Sequence, residues 1–218
     1  MIADGQRTAR PPVITAITPD PRRAGAVRVE VDRAPFASIS QEAVAAHALA
    51  AGRPVDENLR DWIGLEADVE AAFRTVLRAL ERRSFARADL GRRLRRKGHA
   101  PQAVEAALER AVALHLLDDA AFAATYVETR SSRGRGPVRL TRDLLAMGVD
   151  RHLIDRAVTA HFNDGADRSA VPLTLASKRA AQLGDLPREV KRRRILAFLA
   201  RRGFSGRDIS EMVGKVVA

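Results

Sequence analysis

Five cations occupy six consecutive positions of this chain: Arg92, Arg93, Arg95, Arg96 and Lys97, interrupted by Leu94 and closed by Gly98. Like charges set this close on a helix repel by roughly 0.2–0.5 kcal/mol per neighbouring pair, a cost that a bound polyanion removes. The excess returns in register as Arg133, Arg135, Arg139 and Arg142, and again as Lys191, Arg192, Arg193, Arg194, Arg201 and Arg202. A guanidinium fork donates two parallel hydrogen bonds to a phosphate or a carboxylate, so these clusters suit recognition of either anion. A solvated face meeting the negative end of a helix explains one such cluster alone. Recurrence favours a binding surface.

Other chemistries find little support. Asp118 and Asp119 are paired carboxylates of the kind that hold a hard cation, yet no third ligand accompanies them. They stand just before a helical stretch and read as N-caps that also fix the angle between the first two units. Gly134 and Gly136 fit neither a G-x-x-x-x-G-K-S/T loop nor a strand-borne G-x-G-x-x-G, and read as a tight turn between helices. His47, His99, His115, His152 and His161 form no i,i+4 zinc pair with an acidic neighbour, and no G-x-S-x-G nucleophile motif occurs. The chain has no cysteine, which removes thiol nucleophiles, thiolate metal sites and disulfides together. No catalytic residue, metal or cofactor is expected, and the reading is a binding protein instead of an enzyme. Phe73, Phe122, Phe162, Phe198 and Tyr126 fall on apolar helix faces as core, leaving no aromatic platform for single strands.

The elements that carry the cations follow from Gly98, Gly148 and Gly203. Eight residues before these glycines stand Leu90, Leu140 and Ile195; four before, Leu94, Leu144 and Leu199. Six after stand Val104, Ile154 and Ile209, and ten after, Leu108, Val158 and Val213. Steps of four place these residues on one face of each of two helices, with the glycine as the joint. Asp150 and Ser205 are suited to cap the following helix; Ala100 is not, although Pro101 suits its first turn. A preceding helix completes each unit: Val69 to Arg82, Ala120 to Arg130, and near Val171 to Leu183. The pattern predicts a mainly α fold, an elongated tandem array of three three-helix repeats sharing apolar faces, at 67–116, 117–165 and 166–218.

Ahead of the repeats the period changes. Residues 1–12 are polar and read as a flexible tail without the apolar core of a signal peptide. Residues 13–66 read as a small β/α module. Val13 to Ile17 and the alternating Val27-Arg28-Val29-Glu30-Val31 form a β-hairpin, with Pro35 to Ala37 as a short third strand. A helix from Gln41 to Ala50, capped by Ser40 and ended by Gly52, and another begun by Asp56, complete it.

Charge divides the same way. The chain has 218 residues, 46% of them apolar, a net charge of +11 and a pI near 11.3. Residues 1–67 hold 8 Lys and Arg against 9 Asp and Glu, so the whole basic excess lies beyond them. An electrostatic function therefore belongs to the repeats. No apolar run approaches the roughly 18 residues of a membrane span, and a cytoplasmic, monomeric protein is expected.

The stretch Leu117-Asp118-Asp119-Ala120-Ala121-Phe122-Ala123, then Tyr126-Val127-Glu128-Thr129-Arg130 and the turn Arg133-Gly134-Arg135-Gly136-Pro137, resembles the RecX family of recombination regulators. Ser84 with Asp89-Leu90 and Leu94-Arg95-Arg96-Lys97-Gly98 resembles that family's first repeat. The likeness is strong over residues 69–162 and looser over 168–218. It implies a protein that lies in the groove of a RecA recombinase filament and limits its activities, with single- or double-stranded DNA as a secondary contact and no catalytic residue. A different class of function, sequence-independent nucleic-acid binding through the basic helices, stands beside it.

Overall fold

The computed structural model describes residues 10–163 and 170–218. Most of the tail expected at 1–12 lies outside them. The chain is mainly helical, with one small sheet at the N-terminal end, and its contacts divide it into two compact units. Unit one is residues 1–83 with 90–116, and unit two is 84–89 with 117–218.

In unit one, β1 (Ile14–Pro19), β2 (Ala26–Val31) and β3 (Ala34–Ser40) form an antiparallel sheet in chain order. The expected hairpin thus gains a full third strand, since Asp32 and Arg33 take left-handed backbone and reverse the chain within two residues. Alternation in β2 turns Val27, Val29 and Val31 inward, where they meet Ile14 and Ile39. Ser40 caps α1 (Gln41–Ala46) by accepting from the Ala43 N–H at 3.0 Å. The helix was expected to reach Ala50, but it stops at His47, and Ala48 is left-handed. The open edge of β1 explains the early stop: Ile14 N–H donates to the Arg53 carbonyl (2.9 Å) and Gly52 N–H to the Ile14 carbonyl (2.8 Å). Unpaired backbone groups on an edge strand attract any chain within reach.

Asp56 caps α2 (Glu57–Leu80), accepting from Leu59 N–H at 2.7 Å. Two separate helices were expected here, with a boundary between residues 66 and 67. Instead one 24-residue helix runs through that point. Its first half buries Leu59 and Ile63 against the sheet, and its second half buries Ala72, Phe73, Val76 and Ala79. No proline interrupts it, and Gly64 lies where nothing packs close to it. Buried Glu70 is met by Arg110 of α4 (Pro101–Ala113) at 3.1 Å, and the same guanidinium lies 4.3 Å from the Phe73 ring centre. Pairing of this kind makes a buried carboxylate tolerable.

The remaining helices are α3 (Arg87–Arg96), α5 (Asp119–Ser131), α6 (Pro137–Met147), α7 (Arg151–Asn163), α8 (Ala170–Gln182), α9 (Arg188–Arg202) and α10 (Arg207–Val216). Of the twelve apolar positions that align on the three glycines, ten are buried. Val158 and Ile209 are half-buried against the cores of their own repeats. Leu140, Leu144, Val149 and Ile154 form one core of unit two, joined by Ala86 from the strap before α3; Ile195, Leu199, Phe204 and Val213 form another. Truncating a leucine at such a position to alanine costs about 2–5 kcal/mol.

Candidate functional site

The first basic cluster ends α3 at Gly98 and Arg201 and Arg202 end α9 at Gly203, whereas Arg133, Arg135, Arg139 and Arg142 run from before α6 to its middle; the ends of α3, α6 and α9 nevertheless share one construction. Gly98, Gly148 and Gly203 have φ of 89°, 83° and 90°, the left-handed region that glycine enters without a Cβ penalty. The residue after each glycine donates its N–H back to the leucine four before it: His99 to Leu94 at 3.4 Å, Val149 to Leu144 at 3.2 Å, Phe204 to Leu199 at 3.0 Å. These bonds satisfy carbonyls that a helix end otherwise leaves bare.

Cation by cation, the clusters divide. In unit one Arg92, Arg95, Arg96 and Lys97 are exposed and Arg93 is half-buried. In unit two, Arg135 and Arg139 converge on one carboxylate: Arg135 reaches Asp143 at 2.6 Å, and Arg139 at 3.0 Å. Tyr126 O–H stands 3.1 Å from Arg135 and 3.5 Å from Asp143. These two arginines, expected on the open basic face, are therefore partly neutralised. Asp143 was not singled out in the sequence, although its place four residues after Arg139 is the ordinary spacing of a helical ion pair. Arg142 projects to solvent, as do Arg193, Arg194 and Arg201, and none of these four has an acidic partner among the described residues. Arg192 is half-buried, 3.4 Å from the Ser210 hydroxyl. Arg202 turns inward, 4.8 Å from the Phe198 ring centre and 3.4 Å from the Gly134 carbonyl.

Carboxylates place the helix starts. Asp118 accepts from Ala120 and Ala121 N–H at 2.8 and 2.9 Å and caps α5. Its neighbour Asp119 caps a different helix, accepting from Arg87 N–H at the first residue of α3, 2.8 Å away. Ala100 has no capping side chain, and Asp68 of α2 supplies the missing acceptor: it takes Ala100 N–H at 2.8 Å and His99 Nδ1 at 2.5 Å. Neither donation across helices follows from local sequence. Ser131 and His161 meet at 2.6 Å and join α5 to α7, with the hydroxyl also 2.9 Å from the Glu128 carbonyl. Among the described residues no group of three His, Cys, Asp or Glu is arranged to hold a metal, and no helix is long and apolar enough to cross a membrane.

The turn at Gly134 and Gly136 does more than reverse the chain. Gly136 N–H donates to the Arg202 carbonyl at 2.7 Å and Val138 N–H to the Gly203 carbonyl at 3.3 Å, so the start of α6 rests on the end of α9. A Cβ on Gly136 would lie 2.5 Å from the Gly203 carbonyl, and a Cβ on Gly203 would lie 2.4 Å from Arg139 N. Contact requires both glycines, and backbone geometry requires glycine at 203 as well. Free N–H groups at one helix start meet free carbonyls at another helix end, and the opposed partial charges of the two helices agree.

A family model described as RecX, second three-helix domain, matches residues 118–158. The regulatory protein RecX of Pseudomonas entomophila strain L48 is 34% identical over 148 residues, 68% of this chain and 90% of that protein. The chain belongs to the RecX family. A RecX relative from Xanthomonas oryzae pv. oryzae strain MAFF 311018 is 35% identical over 136 residues, 62% of this chain and 81% of that one. The fold is shared with a crystal structure of regulatory protein RecX, at a TM-score of 0.79 and 22% identity over 94% of this chain and 99% of that one. RecX from Lactobacillus salivarius gives 0.61 at 22% identity over 69% and 96%. The matched RecX segment opens on the Asp118 cap and contains Gly136, Asp143 and Gly148.

Proposed function

We propose that this RecX family member binds the RecA–DNA filament and modulates it, mostly by inhibition. It lowers recombinase, ATPase and coprotease activity in recombinational repair and the SOS response, acting in the cytoplasm as a non-catalytic monomer. The family relationship supports this reading, and one structural observation carries the binding surface. Each second helix carries exposed cations without an acidic partner among the described residues: Arg95, Arg96 and Lys97 at the end of α3, Arg142 in the middle of α6, and Arg201 at the end of α9. Arginine and lysine held this way suit an acidic filament groove or its phosphates.

DNA-dependent ATP hydrolysis by the cognate recombinase, with this chain at substoichiometric ratio, tests the proposal. A fall in rate is expected, and an unchanged rate overturns it. The same cations favour a second reading, direct binding of nucleic acid without sequence preference. Naked DNA bound as tightly as the filament, with affinity falling about 0.9 logarithmic units per phosphate contact for each tenfold rise in salt, selects that reading over the first.

A further inference from the structure

Beside the contact of α6 with α9, unit two has a recess of about 390 Å³. Its walls are the end of α5 with the following turn (Ser132, Arg133, Gly134) and one side of α8 (Thr174, Leu175, Lys178). Arg133 and Lys178 are both exposed, and neither has an ion pair or hydrogen bond among the described residues. Arg202, which does not line the recess, holds the Gly134 turn in place through the Gly134 carbonyl at 3.4 Å. Among the described residues no carboxylate lines the space.

We propose that this recess is a phosphate-ester site that takes the phosphate and sugar of one nucleotide unit. Among the described residues its charged lining is wholly positive. Both hydroxyls already give their hydrogens to backbone carbonyls, Ser132 to Thr129 at 3.0 Å and Thr174 to Ala170 at 2.9 Å. Donation to an anion therefore falls to Arg133 and Lys178, a guanidinium and an ammonium, both strong phosphate ligands. A carboxylate side chain would leave much of the volume empty. A phosphate with its sugar fills more of it and rests the sugar's carbon face on Leu175. Among the described residues no aromatic ring lines the recess, so nothing there stacks on a base and sequence is not read. The turn needs its glycine: Gly134 has φ of 79°, and a Cβ there would lie 2.9 Å from Arg202 and 3.2 Å from Leu175, so a larger residue must displace Arg202 or the Leu175 wall of the recess.

The test uses the full chain alone, so its outcome is independent of the recombinase reading. Binding of a fluorescent oligodeoxythymidylate is measured across a salt series for the native chain, for Arg133→Gln with Lys178→Gln, and for Arg22→Gln with Arg33→Gln. The last pair removes the same charge from exposed positions outside the recess lining. Loss of the two recess contacts should weaken binding at least tenfold and flatten the salt slope by roughly 1.4, two contacts at about 0.7 each on a single strand, with helicity unchanged. Thr174→Phe, which narrows the recess and keeps every charge, should weaken binding as well. Deoxythymidine monophosphate and inorganic phosphate are the competing probes. Competition by either assigns the site to free phosphate esters, and its absence assigns it to the strand backbone. Equal weakening by the control pair, or unchanged binding in the recess variants, overturns the proposal.

Discussion

The ends of α3 and α9 read alike in sequence and differ in surroundings. Each has a buried leucine, a last turn of cations, a left-handed glycine and a backbone bond returning to the leucine. At Gly98 no atom of the described residues lies within 4 Å of a Cβ built on the glycine. At Gly203 the backbone of α6 fills that space, and the last carbonyls of α9 are used by Gly136 and Val138. A helix end can therefore serve as a local stop or as a socket for the next repeat. The difference lies in the partner: the α6 start enters on a glycine, which brings two backbones together, as only a residue without Cβ allows.

The largest expected effect comes from breaking the occupied end. Gly203→Ala should lower stability by roughly 2–4 kcal/mol, combining overpacking against Arg139 with left-handed strain. Gly98→Ala meets strain alone, about 1–2 kcal/mol. Gly136→Ala isolates the clash, because its φ of −84° suits any residue. Urea unfolding midpoints of the three variants decide the matter, and equal losses at 98 and 203 would show that the contact contributes nothing.

A smaller effect separates charge from contact. Asp143→Ala releases Arg135 and Arg139 and should cost about 0.2–1 kcal/mol, as expected for a partly exposed pair. Two freed cations should at the same time tighten single-stranded DNA binding and steepen its salt slope by up to roughly 1.4. A salt titration showing an unchanged slope would mean that Asp143 leaves those arginines available already.

The smallest effect lies in the sheet and serves as a control. The Arg22 N–H holds the Asp20 carboxyl below its usual value, helped by the Ser38 hydroxyl, Arg23 and Arg28, while burial pushes the other way. A depressed carboxyl contributes stability above its unfolded pKa and loses it as the pH falls through the folded one. Asp20→Asn should therefore lower the thermal midpoint slightly at pH 7. The difference from the native chain should shrink below about pH 4, near the ordinary aspartate value. Gly203→Ala should show no such pH dependence, since its cost is steric.

Much of this molecule was legible in its residues because the deciding forces are local. Spacing of four around Gly98, Gly148 and Gly203 identifies the paired helices and their buried faces, since side-chain direction on a helix repeats with its turn. The Ser40, Asp56 and Asp118 caps follow from the same short range. α1 stops early because an edge strand thirty residues upstream needs partners, and α2 continues because it serves two cores at once. The candidate site divides likewise. The sequence placed the first cation cluster at a helix end, and its family motifs matched RecX. Which cations stay free was decided by tertiary structure: Asp143 draws in two arginines, Phe198 and the Gly134 carbonyl take Arg202, and the recess joins Arg133 to Lys178, forty-five positions away. Periodicity records which face of an element is buried. It carries no record of what approaches that face, and in this protein the approach of α6 to α9 set Gly203 apart from Gly98.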